Sequence, residues 1–215
     1  WGSLAALEEK SATVKWWRAG RRLLELENWF REHNVCLMTI YSQGHHGELF
    51  LDPAVVRELS KWGNYLGENV GELMNRWFGG KHPASRDGTL KDLREVKNCL
   101  VNDFLKPVVA KLKNMGYPRV FSTSCYACAN LEFEAGFDAP FVESLCCDYN
   151  VSEMRGACRK WQRPYWGSYF NHDWYTKHIP YAADQRFALL RAALHLAWMN
   201  GAAAVCLESG NFWTE

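Results

Sequence analysis

Apolar and polar positions along the chain change period repeatedly, and each change marks an element. In RRLLELENWFREHN, Leu23, Leu24, Leu26, Trp29 and Phe30 recur close to amphipathic helical spacing. The β-rich run VCLMTIYSQGHH follows and dissolves into glycine and polar residues. Asp52-Pro53 predicts a helix start, with the acid as cap and proline in the first turn, ahead of AVVRELSKW. NYLGENVGE reads as a shorter strand broken by Gly67 and Gly71. Asp87 and Thr89 are candidate caps for a long helix whose stripe runs Leu90, Leu93, Val96, Leu100, Phe104, Val108, Leu112. Pro107 is expected to kink or split that helix, and Gly116 to stop it.

The second half repeats the scheme more regularly. RVFSTS reads as a strand, a short connection leads to APFVESL as the next, and VSEMRGACRKWQ is helical. Pro164 introduces YWGSYF. Asp184 is placed to cap QRFALLRAALHLAWMN, where Phe187, Leu190, Leu194 and Ala197 share a face and Gly201 ends the helix. AAAVCL is the last strand, and Glu208 stands where it stops.

About six strand–helix alternations predict an α/β fold with a parallel sheet, and no repeat or low-complexity linker divides the 215 residues, so one domain is expected. A doubly wound sheet normally carries a glycine-rich turn after its first strand, and neither G-x-G-x-x-G nor a P-loop is present. A (β/α)8 TIM-type barrel instead puts chemistry on the carboxyl ends of several strands. Those ends here carry His45 and His46, Glu68 and Glu72, Ser122 and Ser124, Glu143, Asp173 and Glu208. The barrel is favoured, but six strands fall short of eight, and about 250 residues is typical. The expectation is a barrel whose first units lie upstream or are hidden in residues 1–20.

Charge and cysteine content narrow the chemistry. A formal net charge of +1 gives no electrostatic footprint for nucleic acid or an anionic membrane, and no apolar run approaches the roughly 20 residues of a membrane span. The eight cysteines are expected to be scattered thiols. Cys125 and Cys128 form a C-x-x-C without the second pair of a zinc site, and Cys146-Cys147 would point to opposite faces if on a strand. A thiol enzyme built on Cys125 has no base placed beside it, and no G-x-S-x-G elbow occurs.

The stretch from PYWGSYFNHDWY through DQRFALLRAALHLAWMN to GAAAVCLESGNF resembles the late strands of (β/α)8-barrel glycoside hydrolases, where such a helix feeds a small-residue strand ending in a carboxylate. NYLGENVGEL is similar in outline to the strand ending in the general acid of the large retaining clan. Two departures stand out. Gly67-Glu68 and Gly71-Glu72 replace the clan's Asn-Glu pair. Counting from Glu72, Glu208 ends the eighth strand and Asp173 falls after the seventh, where the clan keeps its nucleophile.

The resemblance implies hydrolysis of an O-glycosidic bond in an oligo- or polysaccharide. That reaction needs one carboxyl held protonated as acid and another ionised as nucleophile or base. An acid closing an apolar strand is partly desolvated, which favours its protonated form, and AVCLE offers this to Glu208 and APFVE to Glu143. Glu72 or Glu68 would be the partner, beside glycines that let substrate approach the backbone. The 11 tryptophans add stacking surfaces for sugar rings. Trp174, Tyr175 and Trp213 are expected to bind substrate, with hydrogen bonds from His172, His45 and His46. No cofactor is implied, and a polysaccharide substrate would place the chain outside the cytoplasm. Two alternatives stay open: a barrel that binds carbohydrate or serves as a scaffold without catalysis, and a metal-dependent hydrolase using His45, His46 and Glu48.

Overall fold

The structure is a computed structural model that describes residues 24–40, 51–80, 82–86, 88–125, 128–143, 147–171 and 183–208. It divides into two compact units, Trp1–Ser122 with Ala135–Asp138, and Thr123–Glu134 with Ala139–Glu215.

The first unit holds β1 (Leu37–Ile40), β2 (Tyr65–Asn69) and the start of β3 (Val120–Ser124), parallel and neighbours in chain order. Helices α1 (Glu27–Glu32), α2 (Pro53–Leu59), α3 (Leu73–Phe78), α4 (Pro83–Arg86), α5 (Leu93–Asn98) and α6 (Lys106–Met115) surround them in sequence. The start of α2 follows the residue pattern. Asp52 Oδ1 accepts from Ala54 N at 2.7 Å, Pro53 occupies the first turn, and Val55, Val56 and Leu59 are buried. Asp92, not Asp87 or Thr89, caps α5, accepting from Arg94 N and Glu95 N at 2.8 Å each.

The long helix is split, though not by a proline kink alone. A π-helical stretch, Cys99–Leu105, joins α5 to α6 and turns Leu100, Val101 and Leu105 inward. Pro107 then sits in the first turn of α6, directly after the π-helical stretch, and Gly116 closes α6 in the left-handed conformation at φ 97°. Val109 and Leu112 are buried, and α6 packs on α2.

The second unit holds α7 (Ala129–Ala135), β4 (Ala139–Glu143), α8 (Cys147–Lys160), β5 (Gly167–Asn171), α9 (Ala183–Met199) and β6 (Ala204–Glu208). Strands β4, β5 and β6 are parallel in chain order, with Phe141 opposite Gly167 and Asn171 opposite Glu208. Gly167 is required by packing, because a Cβ there would lie 2.2 Å from the Phe141 ring. Phe133, Val142, Val151, Met154, Trp166, Phe170, Leu190, Ala193 and Ala197 form the core of this unit. Helix α7 lies where the sequence suggested only a connection. Cys147 opens α8 instead of extending a strand, and among the described residues Cys36, Cys99, Cys125, Cys128, Cys158 and Cys206 form no disulfide.

Both units are therefore α/β, with parallel strands alternating with helices and never reversing order. That is the connectivity of consecutive (β/α) repeats and is consistent with part of a TIM-like barrel.

Candidate functional site

The carboxyl end of β2 is shaped by a bulge. Leu37 pairs with Tyr65, but Met38 pairs with Gly67 and Thr39 with Glu68, so β2 carries one extra residue. Leu37 and Thr39 are two apart and share a face of the sheet, so their partners Tyr65 and Glu68, three apart, share it too. Gly67 makes this possible at φ 131°. A Cβ on Gly67 would meet the carbonyl oxygen of Arg119 at 2.2 Å, so the backbone of this same unit, and not a substrate, makes the close approach.

The bulge gathers three oxygens around one hydroxyl. Thr39 Oγ1 lies 2.8 Å from Tyr65 Oη and 3.3 Å from the Gly67 carbonyl, and it also donates to Glu68 Oε2. Tyr65 can then serve as donor to Thr39, which leaves the single threonine proton for the carboxylate. Glu68 is 1% exposed and Tyr65 is buried as well. Burial pushes the Tyr65 phenol well up, opposed by its Thr39 hydrogen bond and reinforced by the Glu68 charge. Tyr117 is raised by burial first, then by Glu68 and Tyr65. Glu68 thus belongs to a buried polar nest with Thr39, Tyr65 and Tyr117, partners with no signature in the sequence.

Glu72 is presented differently. Asn69, fully buried at the end of β2, accepts from Gly71 N through Oδ1 at 2.8 Å, and Gly71 turns at φ 71°. This short turn delivers Glu72, half-buried, at the residue before α3. Its carboxylate makes no cap bond to the helix backbone, and Oε2 accepts from Asn75 Nδ2. A surface groove in this unit, lined by Phe30, Arg31, Asn34, Cys36, Gly63 and Asn64, lies at the amino ends of β1 and β2, opposite in the strands to these acids.

In the second unit, Glu143 is the last residue of β4 and half-buried, and its carbonyl accepts from Asn150 Nδ2 of α8. Glu208 is the last residue of β6. The described acids therefore close β4 and β6, and in β2 one precedes the final residue. Asp173, His45, His46, His172, Trp174, Tyr175, Trp213 and the proposed metal ligand Glu48 lie outside the described residues.

A further carboxylate, unremarked in the sequence, lies among the helices of the second unit. Glu153 Oε1 accepts from Asn130 N at 3.3 Å, tying α8 to the start of α7, while Oε2 is buried without a hydrogen-bond partner among the described residues. Burial raises the Glu153 pKa, and the Asn130 N–H works against that shift. Burial, with the Glu132 and Glu153 charges, pushes the Cys128 thiol up to about 12, and burial with Glu153 pushes Cys158 up to about 11. Thiols held this way are protonated and poor nucleophiles at neutral pH.

Neither protein-family models nor curated proteins match this chain. No helix among the described residues is long and apolar enough to cross a membrane.

Proposed function

We propose that the chain is part of a (β/α)8 barrel and hydrolyses an O-glycosidic bond in an oligo- or polysaccharide with two carboxylates. The observation that supports this reading is the recurrence of acids at strand carboxyl ends: Glu68 with Glu72 around the end of β2, Glu143 at the end of β4, Glu208 at the end of β6. Strand ends of this kind carry the chemistry in barrels, and one acid plus one carboxylate base or nucleophile suffices for glycoside cleavage. Glu68 is too buried to touch a substrate, so its role is to hold the end of β2. Glu72 is the acid of that strand offered for chemistry, and Glu143, Asp173 and Glu208 are the other candidate acids of this reading. His45, His46, His172, Trp174, Tyr175 and Trp213 are the substrate-binding candidates of the same reading.

A barrel that binds carbohydrate without cleaving it, or acts as a scaffold, is the second reading. The enclosure of Glu68 favours it, since one strand-end acid is already spent on structure. Turnover of a panel of aryl glycosides and polysaccharides by the parent, and by Glu72→Gln, Glu143→Gln, Asp173→Gln and Glu208→Gln made singly, separates the two. Loss of about 100-fold or more in two of the variants supports hydrolysis. Binding without turnover supports the second reading, and turnover that survives every change removes the acids from the mechanism.

A further inference from the structure

Resting on the glycosidase reading, we propose that Asn75 is a positioning residue that fixes the carboxylate of Glu72. Three observations lead there. Glu72 occupies the residue before α3, where an acidic side chain commonly accepts from the helix's first N–H groups, yet it makes no such bond. Its Oε2 accepts instead from Asn75 Nδ2. The backbone of Asn75 is satisfied without its side chain: its N–H donates to the Glu72 carbonyl at 3.0 Å and its carbonyl accepts from Gly79 N at 2.8 Å. These backbone bonds of the turn are thus made without the Asn75 side chain, which donates to the carboxylate.

An amide nitrogen has no lone pair to offer, so the direction of this bond is fixed, with Asn75 donating and Glu72 accepting. Anchoring one carboxylate oxygen restricts rotation about the terminal torsion, which is broad in an unheld glutamate. The other end of the arrangement is equally constrained. Asn69, buried at the end of β2, grips Gly71 N and sets the turn from which Glu72 projects. Backbone and carboxylate are held by two different asparagines, one on each side of the acid. A carboxylate needed in one orientation for attack or proton transfer gains from such support, because small misplacements of a reacting group are costly.

Asn75→Ala removes the donor, Asn75→Asp keeps the shape but cannot donate when ionised, and Asn75→Gln keeps the amide on a longer arm. On an aryl glycoside that the parent cleaves, Ala and Asp are expected to lower kcat about 10- to 100-fold with KM within about twofold, the range of one hydrogen bond to a charged group. Gln is expected to recover part of the loss, and melting temperatures to stay close to the parent's. Equal kcat in all three variants, or a loss that tracks lowered melting temperature and is not rescued by Gln, overturns the assignment. A second measurement does not depend on turnover. The Asn75 side-chain amide protons, followed by 1H–15N NMR, should move upfield in Glu72→Ala, and an unmoved resonance also overturns it. A parent that cleaves nothing in the panel removes the glycosidase reading and this role with it, whatever the NMR shows.

Discussion

Gly67→Ala tests the geometry on which the end of β2 depends. The added Cβ would lie 2.2 Å from the Arg119 carbonyl oxygen, 2.9 Å from its carbonyl carbon and 3.0 Å from its nitrogen, all backbone atoms that cannot swing aside. The residue also sits at φ 131°, where an L side chain is strained by about 1–3 kcal/mol. Forcing apart well-packed atoms adds about 1–3 kcal/mol. The two act at one residue and relieve each other in part, so about 3 kcal/mol is expected, or roughly 6–12 °C in Tm for a chain of this size. Gly156→Ala is the internal control. Gly156 lies within α8 with nothing near its added Cβ, so alanine there should stabilise by about 0.5–1 kcal/mol. Thermal melts followed by far-UV circular dichroism, with urea titration as a second probe, measure both. If Gly67→Ala melts within a degree of the parent, the bulge and the shared face of Tyr65 and Glu68 are wrong.

The polar nest makes its own prediction. Thr39→Val removes the hydroxyl that serves Glu68 and Tyr65 and should cost about 1–3 kcal/mol in urea unfolding, and a change under about 0.5 kcal/mol would contradict the network. Glu153 has a folded pKa above its unfolded value, so its protonated form is favoured by folding. Its contribution is complete below about pH 4.3 and is lost as pH rises through the folded pKa. Glu153→Gln should therefore flatten the fall in stability above pH 4.3 and leave the chain more stable at neutral pH; a variant less stable than the parent at pH 7.5 refutes this. Iodoacetamide at pH 8 should label the exposed Cys36 in the native chain and spare Cys128 and Cys158 until urea is added, as read by peptide mass spectrometry. Early labelling of Cys128 would show that its burial is misjudged.

Much of the element order was legible in the residues, since periodicity and punctuation are local. Each strand read from the sequence has a counterpart among β1 to β6, and the split of the long helix near Pro107 and its Gly116 stop were expected from backbone chemistry, though not the π-helical stretch that makes the split. Helix α7 escaped because seven residues hold too little periodicity, and its Phe133 is recognised only by the core it enters. The cap of α5 moved from Asp87 or Thr89 to Asp92, as helix ends answer to which acid finds free N–H groups. Glycine within NYLGEN signalled something unusual, but only the register with β1 and the approach of Arg119 reveal a bulge. Thr39 and Tyr65 become partners of Glu68 through that register, which no spacing of their own announces. Acids near strand ends were readable, whereas the difference between enclosed Glu68 and accessible Glu72 is a property of packing.

The most direct test of the two-carboxylate claim is chemical rescue. Glu72→Ala, Glu143→Ala, Asp173→Ala and Glu208→Ala are each incubated with an activated aryl glycoside, with and without sodium azide, and the sugar product is identified. The account predicts that one variant, nearly inactive alone, regains turnover and releases a glycosyl azide, the small anion standing where the missing carboxylate stood. Active parent enzyme whose four variants all retain activity, or none of which yields azide product, contradicts it.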